Sequence, residues 1–370
     1  MLSHKPLTSA QGAIYVAHLL DPLKNVYNIA HYRELNGPVS ADFLSKALNR
    51  VLLKSPAYRS LIKIENDIPV IETRQKFLGG LSIVDFSSDP DPEGNALKWM
   101  DQERRRPFNL FEGPLYRWVL IKLSMVRYYV FTCAHHIIVD GSGLVQFERN
   151  VFEVYAACVQ EKSIESAEGP DLALEAEQLY LASEQYLEDQ RFWKSELADL
   201  EPQVSLSGKS TANTRAFYRA RGVLSSNRIV KLNDFCKRNK IALQRTLIAL
   251  SALYYARMSN QTDFIVEIPV SLRKTSEDLA AIDMRSSTVF LKITTTPTTD
   301  LGEFLKIFQN KFRLALRHQR YPREHILREW GSISNLACFA VNILPDLNLK
   351  TISDIDIEAS ISISDIVFRL

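Results

Sequence analysis

Between Trp118 and Cys158 the hydrophobic period of the chain changes within a few residues, and that change dictates a strand, a tight turn and a helix. The runs WVLIKL from Trp118 and YYVFTCA from Tyr128 are continuous apolar stretches broken by the polar Ser124 to Arg127, the pattern of two buried, paired strands. After Gly141 the residues Leu144, Phe147, Val151, Val154, Tyr155 and Cys158 recur at helical spacing on one face. The IIVDG between them has to turn the chain from strand into helix, and His135 and His136 stand at its entry.

The same mixture of periods runs through the rest of the chain, with no internal repeat and no low-complexity tract, so an α/β or α+β architecture is expected. Ser40 is placed to cap a helix with the apolar face Phe43, Leu44, Ala47, Leu48, Val51 and Leu52, stopped soon after by Pro56. Leu61 to Glu65 and Ile68 to Glu72 form a hairpin around Asn66-Asp67, a pair that tolerates left-handed backbone. A long helical stretch is expected from Glu175 to Leu200, and helices follow around Ile229 to Cys236 and Leu243 to Tyr254. Strand patterns appear at DFIVEIPVSLR, SSTVFLKITT, LACFAVNIL and Asp365 to Leu370. Asp300 caps a further helix in which Phe304, Phe308 and Phe312 form a core stripe.

At 370 residues the chain exceeds the usual span of one domain, and two lobes are expected: 1–160 and 176–370, joined by a linker over 161–175 where charge, Ser, Gly and Pro replace the apolar period. A net charge of +2 supplies no long-range field toward nucleic acid or an anionic membrane, so neither is expected as a partner. Cys133, Cys158, Cys236 and Cys338 lie far apart without a C-x-x-C pair, which argues for reduced thiols and against a zinc or redox centre. The start MLSHKPLTSAQG lacks the pattern of a secretion signal and no apolar run reaches membrane-spanning length, so a cytoplasmic protein is expected. Gly79-Gly80 lacks a phosphate-loop context. The basic groups at Arg104 to Arg106, and at Arg317, His318, Arg320 and Arg323, read as solvated helix ends before they read as contacts for an acidic partner.

Chemistry is concentrated at the turn. Of seven histidines, two are adjacent at a strand end, and alternation along a strand sends one into the core and the other toward an opening. A neutral imidazole accepts a proton from an attacking nucleophile at physiological pH. A carboxylate at Asp140 can hold the turn by pairing with a buried cation, and Gly141 lets a backbone N–H approach a reacting carbonyl oxygen.

The run His135-His136-Ile137-Ile138-Val139-Asp140-Gly141 resembles the H-H-x-x-x-D-G signature of the condensation-domain superfamily, which also holds chloramphenicol acetyltransferase-like and wax ester synthase-like acyltransferases. PLTSAQGAIY from Pro6, PFNLFEGPLYRWVLIKL from Pro107, YLASEQYLEDQRFW from Tyr180 and RHQRYPREHILRE from Arg317 resemble the condensation domains of nonribosomal peptide synthetases, siderophore-type synthetases in particular. The likeness runs from about Pro6 to the end. It implies a two-lobe chloramphenicol acetyltransferase-like fold, each lobe a mixed sheet with helices, and an active-site tunnel at the lobe interface. It also implies that His136 is the catalytic histidine at the attacking amine and that Gly141 offers its N–H near the thioester carbonyl. His135 is then structural, and Asp140 pairs with Arg273 of IPVSLRK to shape the site.

The partners implied are donor and acceptor peptidyl carrier proteins, with adjoining synthetase domains. Their phosphopantetheine arms are the only cofactors implied, without metal or nucleotide, and the product is an amide. A free-standing acyltransferase using a soluble amine or alcohol, or acyl-CoA as donor, and an inactive recruitment module are the rival readings. Two departures stand out: Ser287 to Lys292 replaces the family's Asn-x-x-Pro-x-Arg, and Gly143 stands where Ser is frequent. The family's chain continues beyond the equivalent of Leu370, so a shortened second lobe is expected, with residues 359–370 beside an exposed or partner-covered sheet edge.

Overall fold

The computed structural model describes residues 3–21, 25–162, 173–198, 206, 222, 224–330, 340–342 and 358–362. The chain clusters into two compact units. The first holds the residues up to Leu179, the segment Arg273–Arg285 and a strand at 358–362, and the second holds the remaining described residues.

The first unit is built on a five-stranded sheet. Its strands are β2 (Asn28–Asn36), β5 (Leu81–Asp85), β6 (Tyr116–Lys122), β7 (Arg127–His135) and β10 (Glu358–Ser362), in the order β10-β2-β7-β6-β5. All neighbours are antiparallel except β5 and β6. β7 is buried along almost its whole length, as its continuous apolar run requires of a central strand. A three-stranded sheet is formed by β1 (Ser3–Pro6), β4 (Ile68–Thr73) and β3 (Ser60–Glu65). The β3–β4 turn is Asn66-Asp67, both left-handed at φ 50° and 63°, as the sequence requires. Helix α2 (Ala41–Lys54) starts at Ser40, whose hydroxyl accepts from the Phe43 N–H, and buries Leu44, Ala47, Leu48, Val51 and Leu52. It packs on α4 (Gly141–Val159), the helix that follows the histidine turn.

Four described α-helices have no counterpart in the sequence reading: α9 (Ser276–Ala280), α11 (Arg323–Trp330) and the two that follow. Helix α1 (Ser9–Leu20) begins with a capping box, Thr8 with Gln11, and α3 (Pro92–Arg105) begins with an Asp91 cap and proline in the first turn. At the end of α3, Arg104 and Arg105 pair with Asp101 and Arg106 pairs with Glu103, the solvated helix end expected there.

In the second unit β8 (Asp263–Ser271) and β9 (Ser286–Thr294) pair antiparallel in full register. Helices α7 (Ser226–Asn239), α8 (Leu243–Ser259), α10 (Leu301–Arg317) and α11 (Arg323–Trp330) accompany them. Asp300 caps α10, and Phe304, Phe308 and Phe312 are buried together. The single helix expected over 175–200 is two, α5 (Ala173–Leu181), most of which belongs to the first unit, and α6 (Glu184–Glu196) in the second. Ser183 breaks it: its hydroxyl accepts the Tyr186 N–H as an N-cap and donates to the Tyr180 carbonyl. The basic groups near 320 work inside the unit. His318 bonds Asp189 at 2.7 Å, Arg320 lies over Tyr180, and Arg323 pairs with Glu267.

Ser287 to Lys292 lies within β9, paired throughout with β8; Phe290 is buried and Lys292 donates to the Ala198 carbonyl at 3.0 Å. Of LACFAVNIL, only residues 340–342 are described, and Ala340 forms a parallel bridge with Glu267. Most of the expected linker and the strand at Asp365 to Leu370 lie outside the described residues. β10 pairs with β2 in the first unit's sheet, whereas the sequence reading assigned all of 176–370 to the second lobe. A strand joins whichever sheet offers unpaired N–H and C=O groups, and chain position does not record that choice.

Candidate active site

The site grows out of the end of β7. His135 is its last residue and is buried; His136 is the first residue of the turn and is partly exposed. The two backbones are held differently. The His135 N–H donates to the Leu115 carbonyl at 2.9 Å, and the His136 N–H donates to the Tyr27 carbonyl at 2.7 Å.

His135 lies among aromatic rings, with His18 at 5.5 Å, Phe108 at 6.1 Å and Tyr27 at 6.2 Å between centroids. Its Nδ1 accepts the Ile137 N–H at 3.2 Å, so the neutral ring carries its proton on Nε2. Burial, with smaller contributions from His18 and His136, pushes its pKa down to about 3. His136 is also held below the ordinary histidine value by burial, although the Asp140 carboxylate and the ring's own backbone carbonyl favour its protonated form. Its Nδ1 is buried without a hydrogen-bond partner among the described residues, which leaves Nε2 as the nitrogen a substrate can reach. A neutral imidazole with a reachable nitrogen is a proton acceptor.

At the far end of the turn Asp140 caps α4. Its Oδ1 accepts the Gly143 N–H at 2.8 Å, and its Oδ2 accepts the Arg285 N–H at 2.9 Å and Arg273 Nη1 at 2.5 Å. Arg273 and Asp140, 133 residues apart in sequence, are both buried. Arg273 Nη2 also donates to the Asp283 carbonyl at 3.0 Å. The Asp283 carboxylate receives Arg285 Nε at 2.7 Å, and Arg285 Nη1 reaches Asp278. Burial raises the Asp283 pKa against the opposing pull of Arg285 and Arg273. A buried charge pair is tolerated when its remaining donors and acceptors find partners, and here backbone groups of 281–285 serve Arg273 Nη2 and Asp140 Oδ2.

The two glycines of this turn differ. Gly141 is exposed, and a Cβ built on it meets nothing within 4 Å; its N–H belongs to the first helical turn, which has no intrahelical acceptor. A Cβ on Gly143 would stand 2.7 Å from Val139 Cγ2 and 3.0 Å from the Asp283 carbonyl oxygen. Glycine at 143 thus fits the close approach of the 283 backbone. The structure therefore brings His135, His136, Asp140, Gly141 and Arg273 together within the first unit.

Residues that sequence reasoning missed are Gln11, His18, Tyr27, Asp283 and Arg285. Only Gln11 had a readable signal, the Thr8-x-x-Gln11 capping pattern. No group of three or more potential metal ligands occurs among the described residues, and no described helix is long and apolar enough to cross a membrane.

A fold of mixed sheets and helices with this turn defines the chloramphenicol acetyltransferase-like class, and comparison with known proteins places the chain within it. The family profile described as "Condensation domain" matches residues 1–343. The chain belongs to the condensation-domain family.

The chain is 29% identical over 344 residues to a dimodular nonribosomal peptide synthase of Bacillus subtilis (strain 168), a match covering 92% of this chain and 14% of the relative. It is 26% identical over 347 residues to enterobactin synthase component F of Escherichia coli O157:H7, covering 90% and 26%. Among solved structures it resembles the first condensation domain of the calcium-dependent antibiotic synthetase, in complex with a substrate analogue. That match has a TM-score of 0.86 and 26% identity, covering 94% of this chain and 82% of the other. The chain thus spans only 14% and 26% of the length of the two curated relatives.

Proposed function

We propose that this chain joins an acyl or aminoacyl group, held as a thioester on one peptidyl carrier protein, to an amine held on a second. The observation that carries the reading is His136: a neutral, partly exposed imidazole at the end of a buried strand, in a turn pinned by the buried Asp140–Arg273 pair.

The amine nitrogen attacks the thioester carbonyl carbon. The C–N bond forms, the C–S bond breaks, and the pantetheine sulfur leaves. His136 Nε2 takes the proton that the amine loses and returns it to the departing sulfur, so no net proton is gained or lost. Gly141 supports the carbonyl oxygen through its first-turn N–H, in the positive field of the α4 N-terminus. A thioester is already activated, so holding the two reactants together supplies much of the rate. His135, neutral and tied to Ile137, shapes the turn and leaves the chemistry to its neighbour. Both substrates arrive on phosphopantetheine arms, and the reaction needs neither metal nor nucleotide.

The test loads candidate donor and acceptor carriers, mixes them with the protein under single-turnover conditions, and follows the acceptor by intact mass. Transfer of the donor mass onto the acceptor is expected. His136→Ala should lower the rate by about 10²–10⁴-fold without altering the melting transition. A His136→Ala protein with full turnover would remove the assigned role, and transfer to a free amine but never to a carrier-bound one would favour the free-standing acyltransferase.

A further inference from the structure

His136 is fixed by the backbone on both sides of it, and one of the groups that fixes it comes from α1. On the near side its own N–H is held by the Tyr27 carbonyl. On the far side both polar backbone groups of Ile137 are occupied by side chains: its N–H by His135 Nδ1, and its C=O by Gln11 Nε2 at 2.9 Å. Gln11 is buried, and it is held from behind because its Oε1 accepts the Thr8 N–H at 3.1 Å and the Thr8 hydroxyl at 3.2 Å. Seven residues further along α1, His18 packs edge-on against His135, the other anchor of Ile137. The start and the last turn of α1 thus both bear on Ile137, the residue that follows His136.

We infer that Gln11 is a positioning residue for amide formation: by donating to the Ile137 carbonyl it sets where the His136 imidazole stands. This rests on His136 being the proton acceptor. Misplacing such a group by about 1 Å can cost about 100-fold in rate, while hardly changing how the carriers are bound. Gln11 also stabilises α1 through its cap, so a useful variant has to separate the two tasks. Gln11→Glu does: a carboxylate still accepts from Thr8, but at neutral pH it cannot donate to Ile137. Gln11→Leu removes both interactions.

The experiment measures kcat and KM for loaded carriers, normalised to the folded fraction from a melting curve, for the wild type, Gln11→Glu, Gln11→Leu and His136→Ala. Gln11→Glu is expected to lose roughly 10-fold or more in kcat with KM within about threefold, and Gln11→Leu to lose at least as much. A Gln11→Glu protein with wild-type kcat per folded molecule, beside an inactive His136→Ala, would overturn the positioning role and leave the catalytic reading intact. Full activity in His136→Ala would overturn both. A lowered folded fraction with unchanged kcat in Gln11→Glu and Gln11→Leu would reduce Gln11 to a helix cap and equally overturn the proposal.

Discussion

His135 at one end of the histidine turn and Asp140 at the other are both buried, and the two ends solve the problem of burial in opposite ways. At the strand end, His135 and His136 have no carboxylate bonded to them among the described residues, and they stay neutral because desolvation drives their protons off. At the helix end, Asp140 keeps company with Arg273 and with two backbone N–H groups. The neutral end is free to exchange a proton; the charged end is fixed to a distant part of the sequence and gives the turn its shape. A catalyst of this kind needs both, because a group that moves a proton is useful only if its position does not move with it.

That contrast can be broken most severely at the charged end. Arg273→Met should leave Asp140 buried without its cation and cost about 3–5 kcal/mol of stability, seen in urea denaturation. Asp140→Asn should cost more in the wild type than in the Arg273→Met background, where it removes the unpaired charge, so the pair's coupling should appear as non-additivity in the cycle. Strictly additive effects would show that the two groups do not depend on each other.

The neutral end should respond to acid. His135 has a folded pKa of about 3 against the ordinary 6.5, so the unfolded chain binds a proton that the folded chain refuses. Its contribution is therefore complete above pH ~6.5 and is lost as pH falls from there toward 3, by about 2 kcal/mol at pH 5. His18 and His136 are lowered as well and add in the same direction. Denaturation midpoints taken between pH 7 and pH 5 check this, and His135→Gln should flatten the dependence. An unchanged slope in that variant would contradict the assignment.

The smallest effect sharpens the comparison at its middle. Because a Cβ on Gly141 meets nothing within 4 Å, Gly141→Ala should change stability by less than about 0.5 kcal/mol. If the reacting carbonyl approaches this residue, turnover should nevertheless fall. Equal rates in the two proteins would place the carbonyl elsewhere.

Much of this was legible in the sequence because it rests on local physics. The Asn66-Asp67 turn, the Ser40 and Asp300 caps, the buried phenylalanines of α10 and the strand-turn-helix at His135 to Gly141 each depend on residues within a few positions of one another. The residue motif and its resemblance also placed the chain in its family. The two histidines differ as expected, His135 buried and His136 partly exposed, although His136 stands in the turn just beyond the last residue of the strand. The break at Ser183 was missed because a helix-forming composition continues on both sides of it.

What the sequence determined by itself is thus the set of elements and the chemical type of the site: a histidine pair, a carboxylate and a glycine in one short turn, because period and capping are short-range properties. Only the tertiary structure decided which groups would meet them. The assignment of Arg273–Arg285 to the first unit, the close approach at Gly143, the grip of Gln11 on Ile137 and the choice of β2 as partner for β10 all join residues far apart in the chain. Each is selected by burial, which requires every enclosed charge, N–H and C=O to find a partner wherever the fold brings one within reach.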